Sequence, residues 1–344
     1  MMGARPPVSP SDHTRPGARV LVTGASGFVG SAIAGALRQR GYRVRTFARA
    51  SSSRANLDPR DEAAVGDILD PKSLDAAFED VDQIVHAAAD YRLWARDPAE
   101  VLRANVEGTR LVMEAARRAG VARIVHVSST ATIQAGDGAP SDETAPAAVL
   151  PEIGNYKRSK ILGERLVEQM AARDGLPVVI VNPSTPIGPR DVKPTPTGRI
   201  IVEAAAGRMP VYVETGLNLA HVDDVAAGVV AALECGRIGE RYILGGENVT
   251  LSDLLAAIAP MVGRRPPRVR LPIGVIYPFA FGAEALAHLT GRTPFATREG
   301  LRLARKTMFF SDTKARRELG YTTRPYTEGL ADAIAWFRTA GYIA

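Results

Sequence analysis

The sequence is poor in the residues that build cross-links and metal cages. Its one cysteine, Cys235, excludes an intrachain disulfide, and five dispersed histidines offer no thiolate-rich metal centre. A reducing, cytoplasmic compartment is the expectation. Aromatic residues make up only 6% of the chain and do not interleave with basic ones in any recognisable module, so nucleic acid is not an expected partner. Long hydrophobic runs are also missing. The uncharged stretch 271–283 (LPIGVIYPFAFGA) is thirteen residues long, short of the roughly 20 that a helix needs to cross a bilayer. It reads either as helix packing in a small domain or as an apolar rim that admits a lipid-like substrate. Residues 1–17, rich in proline and without an apolar core, read as a flexible tail and not a secretory signal.

What the chain does have is the composition of a folded protein: 344 residues, 46% hydrophobic and 23% charged. Its net charge of +6 is concentrated at the C-terminal end, where residues 236–344 carry 16 Lys/Arg against 9 Asp/Glu. That excess suits a solvated basic face, an anionic substrate or peripheral contact with a membrane. From residue 19 short β-branched runs alternate with helical stretches: RVLVTG, a helix near 28–40, YRVRTFA, DQIVHAAA, a helix near 99–119, RIVHVSS, a helix near 154–174, and PVVIVNP. Alternation of this kind predicts an α/β fold, a doubly wound parallel (Rossmann) sheet covered by helices on both faces. After Pro183 the texture turns to Pro, Gly and Thr, marking a crossover. The expected organisation is a Rossmann domain of residues 18–183 and 219–262, with a smaller, discontinuous substrate domain of residues 184–218 and 263–344.

The first strand runs into T-G-A-S-G-F-V-G, with Gly24, Gly27 and Gly30 where a helix begins. Such a turn lets backbone approach a pyrophosphate, whose charge the helix N-terminus stabilises. Ser26, Phe28 and Val29 complete the turn. The next strand ends without the acidic residue that holds an unmodified ribose, and Arg49, Ser51, Ser52, Ser53 and Arg54 stand there instead. Cations and hydroxyls suit a 2′-phosphate, so NADP(H) is favoured over NAD(H). Asp67, followed by Ile68, could accept from an adenine amino group or serve as a helix-terminal carboxylate.

Tyr156 and Lys160 lie four residues apart on a helix, and so on one face. A neighbouring ammonium favours phenolate, so Lys160 is expected to lower the Tyr156 pKa and to hold the nicotinamide ribose. The strand before this helix ends in Ser128, Ser129 and Thr130. A hydroxyl at that strand tip can align a reacting oxygen with Tyr156, with Ser129 the first choice and Thr130 the reserve.

Together, T-G-A-S-G-F-V-G, G-D-I-L-D, H-A-A-A-D, N-V-E-G-T, S-S-T, Y-K-R-S-K, N-P-S and H-V-D-D-V make the chain resemble an extended short-chain dehydrogenase/reductase of the epimerase/dehydratase and dihydroflavonol-reductase-like type. The stretches 89–98, 182–201 and 304–311 are similar to the hopanoid-associated sugar epimerase group. The resemblance implies that Ala87, Ala88 and Ala89 lie beneath the cofactor and that Val127, Ser128, Pro183 and Ser184 approach its nicotinamide end. It implies that Asn105 supports the catalytic hydrogen bonds, that Tyr91, Arg92 and Trp94 face the substrate, and that the chain forms a homodimer. One departure stands out: G-L-N-L-A-H (216–221) replaces the Arg-containing stretch by which related enzymes hold a nucleotide diphosphate. The expected function is therefore NADP(H)-dependent oxidation or reduction of a carbonyl/alcohol on a polyol or sugar-like group, such as one attached to a hopanoid lipid. The alternative is a sugar epimerase or dehydratase with a tightly held cofactor.

Overall fold

The computed structural model describes residues 17–136, 138–150, 153–290, 294 and 297–343, so nearly all of the tail expected to be flexible lies outside the described residues. The chain begins with β1 (Arg19–Thr23), α1 (Phe28–Gln39), β2 (Arg43–Ala48), β3 (Glu62–Val65), α2 (Pro71–Ala77) and β4 (Gln83–His86). A helical run follows: α3 (Pro98–Leu102), one π-helical turn over Arg103–Glu107, and α4 (Gly108–Ala119). Next come β5 (Arg123–Val127), α5 (Asn155–Asp174) and β6 (Val178–Pro183). The chain then leaves through β7 (Thr185–Ile187), α6 (Pro196–Ala205), β8 (Val211–Tyr212) and β9 (Gly216–His221). It returns with α7 (Val222–Cys235) and β10 (Arg241–Leu244), and continues through β11 (Glu247–Thr250), α8 (Leu251–Met261), β12 (Val269–Arg270) and α9 (Ile273–Thr290). It ends with α10 (Arg298–Ala304), α11 (Thr313–Leu319) and α12 (Tyr326–Thr339).

Seven parallel strands form the central sheet in the order β10-β6-β5-β4-β1-β2-β3. The order reverses at β1, so the crevice for a ligand opens beyond the C-terminal ends of β1, β4 and β5. Parallel strands covered on both faces must be apolar throughout, and β6 is buried along its whole length. Ile33 and Leu37 of α1 pack with Val225 and Val229 of α7 over one face; Val112, Met113, Val167 and Met170 of α4 and α5 cover the other. Each such side chain contributes roughly 1.5–3 kcal/mol of burial free energy.

A third core joins β7, β9 and β11 to α6, α8 and α12. This corrects the expected boundaries. Strand β9 pairs with β7 and β11, not with the large sheet, and α8 packs in the third core, so the middle return to the Rossmann layer runs only from α7 to β10. Conversely, Ala315, Leu319 and Tyr321 pack in the first core beside α7, placing α11 with the Rossmann domain. The stretch 271–283 also needs correction: helix α9 is 18 residues long.

Candidate functional site

The first turn of the crevice is made by backbone. Gly24 has φ +74°, and a Cβ there would stand 2.7 Å from the Ala88 nitrogen and 2.8 Å from the Ala87 carbonyl carbon. Only glycine combines that conformation with so close an approach of the β4 end. A Cβ on Gly30 would collide with the Gly24 carbonyl oxygen, so α1 and β1 touch where a side chain would part them. Gly27 is the N-cap of α1 and brings no side-chain cap. By contrast, Asp70, Thr195, His221 and Thr250 cap α2, α6, α7 and α8 through their own side chains. The start of α1 therefore presents backbone amides with no side-chain acceptor of their own, the arrangement that accepts an anion. Ser26 lies in this turn, and its carbonyl faces the Asn56 amide at 3.5 Å; Phe28, the first residue of α1, is buried, and Val29 packs at the edge of the same core.

At the far ends of β2 and β3, Arg49, Ser52 and Arg54 line one surface depression with Thr46 and Leu57. Asp67 is not the cap of α2; Asp70 is, accepting from Lys72 N. Instead, Asp67 Oδ1 accepts from Leu69 N at 2.9 Å and fixes the turn after β3, while Ile68 fills the space over Gly108.

The opposite end is made by side chains. Tyr156 stands in the first turn of α5 with its Oη 3.5 Å from Ser129 Oγ, which itself accepts from Ala131 N at 3.1 Å. Ser129, and not the buried Thr130, is the hydroxyl that meets the phenol. Lys160, one turn further on and buried, donates to the Val127 carbonyl at 3.3 Å. Burial pushes its ammonium down to about 8. Burial also raises the Tyr156 phenol above its ordinary value, with the Glu299 carboxylate adding to the rise, while the Ser129 hydrogen bond pulls the other way. This reverses the expectation that Lys160 would lower it: desolvation of the phenolate dominates, and the opposing pull comes from the Ser129 hydroxyl and not from Lys160.

Asn105 sits in the π-helical turn, where the widened backbone aims its amide at both the loop and α5. Its Nδ2 donates to the Asp90 carbonyl and to Ser159 Oγ, each at 2.8 Å, and its Oδ1 accepts from Asp90 N at 2.7 Å. Ser159 Oγ donates in turn to the Tyr156 carbonyl. Asn105 thus ties the loop after Ala87, Ala88 and Ala89 to the turn that carries Tyr156. Beneath them His86 bonds Thr23 Oγ1 and Thr109 Oγ1 and stacks on His126 at 5.4 Å. Burial holds the His86 imidazole down at about 3 and His126 well below its ordinary value, so both are neutral. The sequence reading did not single out His86, nor Glu164, whose carboxylate binds Thr132 and Asn182 under the strand tips.

The loop residues divide. Tyr91 donates to the Lys193 carbonyl at 3.2 Å and bridges to the second domain. The Arg92 guanidinium, half exposed, is held by Asp90 of its own loop and by Glu100 of α3, and so ties that loop to the helix. Trp94 packs edge-on against His288 of α9 at 5.2 Å, forming a seam.

The residues fit a nicotinamide dinucleotide. The glycine cradle excludes a Cβ, and the buried Ser128 and Ser184 hydroxyls, near Val127 and Pro183 at the ends of β5 and β6, lack any hydrogen-bond partner among the described residues. Such orphaned groups are rare without a ligand or water to satisfy them. Gly24, Gly27 and Gly30 would hold the pyrophosphate, with Lys160, Ser128 and Ser184 at the nicotinamide end.

Comparison with known proteins agrees. Residues 20–245 match the NAD dependent epimerase/dehydratase family. A Synechocystis protein whose name likens it to dihydroflavonol 4-reductase is 41% identical over 94% of this chain and 95% of its own length. Sterol demethylase protein B of Methylococcus capsulatus is 36% identical over 94% and 99%. The crystal structure of gox2253 superposes with a TM-score of 0.85 at 50% identity, covering 95% of this chain and 99% of that one. The chain belongs to the NAD dependent epimerase/dehydratase family and is an NAD(P)-dependent enzyme of the extended short-chain dehydrogenase/reductase type.

Proposed function

We propose that the protein is an NADP(H)-dependent oxidoreductase that interconverts a carbonyl and an alcohol on a polyol or sugar-like group carried by a polycyclic lipid. The observation that carries this reading is the meeting of Tyr156 Oη and Ser129 Oγ at the tip of β5, one helical turn from Lys160. The cofactor, when bound, supplies or accepts hydride. Ser129 orients the substrate oxygen, and Tyr156 Oη gives it a proton in reduction or takes one in oxidation. A phenol raised by burial stays protonated at neutral pH, which suits the donor role in reduction. Lys160 holds the ribose, and Asn105, through Ser159, keeps the Tyr156 backbone in place.

The cationic, hydroxyl-lined depression of Arg49, Ser52 and Arg54 supports the 2′-phosphate. Arg49→Ala is expected to weaken NADPH binding about tenfold and leave NADH nearly unchanged; equal losses for both would remove the assignment. The lipid part of the reading draws on the relative named for sterol demethylation and on α9. Val275, Phe279, Leu286 and Leu289 lie along one exposed face of α9, while Ala280, Glu284 and Ala287 are buried on the opposite one. Exposed Arg268 and Arg270 immediately precede the helix. An apolar stripe flanked by arginines suits a helix lying in the surface of an anionic membrane on the cytoplasmic side. A homodimer completes the reading.

The test is turnover by the purified protein with NADPH and hopanoid or sterol carbonyls, followed by the near-ultraviolet absorbance of reduced nicotinamide. Steady loss with such substrates supports net reduction; inertness towards all of them overturns it. The family's own description favours a second reading, epimerisation or dehydration on a retained cofactor, and product formation without loss of free NADPH would establish that instead.

A further inference from the structure

Helix α5 carries Tyr156 and Lys160, yet its N-cap is Gly154, which offers no side chain to the amides of the first turn. The missing acceptor comes from far along the sequence. Glu299 of α10 is 7% exposed, and its Oε1 accepts from Lys157 N at 3.3 Å. A Cβ on Gly154 would collide with this carboxyl group, so the glycine leaves room for it. The segment that carries Glu299 is itself anchored. Arg298 donates to Glu284 of α9 through its backbone N and Nε, both at 2.7 Å, and Thr297 caps α10 by accepting from Gly300 N at 2.9 Å.

We propose that Glu299 is a positioning residue: its carboxyl group is the cap that α5 lacks, delivered from the C-terminal part of the chain to fix Tyr156 opposite Ser129. The contact makes the geometry of the proton-transfer group depend on whether α9 and α10 are seated. This rests on Tyr156 being the group that moves the proton.

The charge state of Glu299 follows from its surroundings. Burial pushes its carboxyl up to about 7, against the backbone amides of Lys157, Tyr156 and Asn155 and the Arg302 guanidinium, which favour the ion. Tyr156 faces it from α5 as a neutral phenol, and Lys157 meets it through its backbone N–H, while the Lys157 ammonium is itself lowered by burial and by Lys306. Burial therefore keeps the carboxyl group largely protonated below about 7, while the ion that forms above it is the stronger acceptor for the amides, so the cap itself does not weaken as the pH rises. Burial of that ion instead lowers the stability of the fold as a whole as the pH climbs from the ordinary carboxylate value towards about 7.

The experiment is hydrogen–deuterium exchange of the full chain, read on the peptide that covers residues 154–160 and corrected for intrinsic rates, in wild type, Glu299→Gln and Glu299→Ala. At about pH 6, wild type and Gln should protect these amides alike, while Ala should exchange about tenfold faster, the scale of a lost cap. At about pH 8.5, where the carboxylate is the stronger acceptor, wild type should protect these amides at least as well as Gln, and Ala should still exchange faster. Equal exchange in all three at both pH values overturns the proposal. So does a wild type whose amides at 155–157 exchange at their intrinsic rates, a reading that stands even if the Ala variant fails to fold. Kinetics add a separate check: Glu299→Ala should lose about tenfold in kcat with NADPH affinity within about twofold. If wild type turns over no carbonyl, the functional reading falls while the exchange result still decides the role of Glu299.

Discussion

The two ends of the crevice are built by opposite means. At the glycine turn, backbone does the work: Gly24, Gly27 and Gly30 matter for the side chains they lack, and α1 and the β4 end close in around them. At the Tyr156 end, side chains from β5, the π-helical turn, α5 and α10 converge from positions up to 194 residues apart, as between Asn105 and Glu299. The first end is a local feature of one strand–turn–helix unit and tolerates almost no added atom. The second is a tertiary assembly, and its parts adjust one another's protonation. It follows that substitutions at the first end should act on binding and folding, and those at the second on rate and pH dependence.

The largest expected effect breaks the rigid end. Gly30→Val puts branched carbon where the Gly24 carbonyl lies. It should abolish detectable NADPH binding, by at least about a hundredfold, or prevent folding; a fluorescence titration giving wild-type affinity would show that the close approach is not required. Next comes acid. His86 and His126 are buried and neutral, with His86 held at about 3. A folded-state pKa depressed below the unfolded one penalises protonation, so stability is intact above the ordinary histidine value and falls as pH drops from about 6.5 towards 3. The thermal midpoint should decline over that window, and less steeply in His86→Gln; parallel declines in both would place the acid sensitivity elsewhere. The smallest effect on the fold belongs to α9. Phe279→Ser with Leu289→Ser, both exposed, should leave the thermal midpoint within about 2 °C, since surface changes are usually worth under about 0.5 kcal/mol. The same pair should remove co-sedimentation with anionic vesicles, and retained binding would contradict the membrane reading.

Legibility in the sequence tracks this contrast. The alternation of strands and helices, the glycine spacing and the four-residue step from Tyr156 to Lys160 are local patterns, and the structure has each element where the pattern puts it. The upward shift of the Tyr156 phenol was not legible, because burial depends on what the rest of the chain lays over it. Nor was Glu299, which looks like any acidic residue at a helix start until α10 is placed against Gly154. The length of α9 was missed for a related reason. The uncharged run stops at Glu284, but that charge is paired with Arg298 and buried, so the helix continues through it to Thr290. The second domain's sheet escaped because β7, β9 and β11 are short strands paired across 28 to 34 residues, with no repeating unit to announce them.

One phenol, that of Tyr156 beside the tip of β5, is the group proposed to move the proton. Its most direct test is Tyr156→Phe, assayed for NADPH binding and for turnover of whichever carbonyl the wild type reduces. The ring and its packing remain, so NADPH affinity should stay within about twofold while kcat falls by about 10²–10⁴, the range of a lost general acid. Near-normal turnover with intact binding would contradict it.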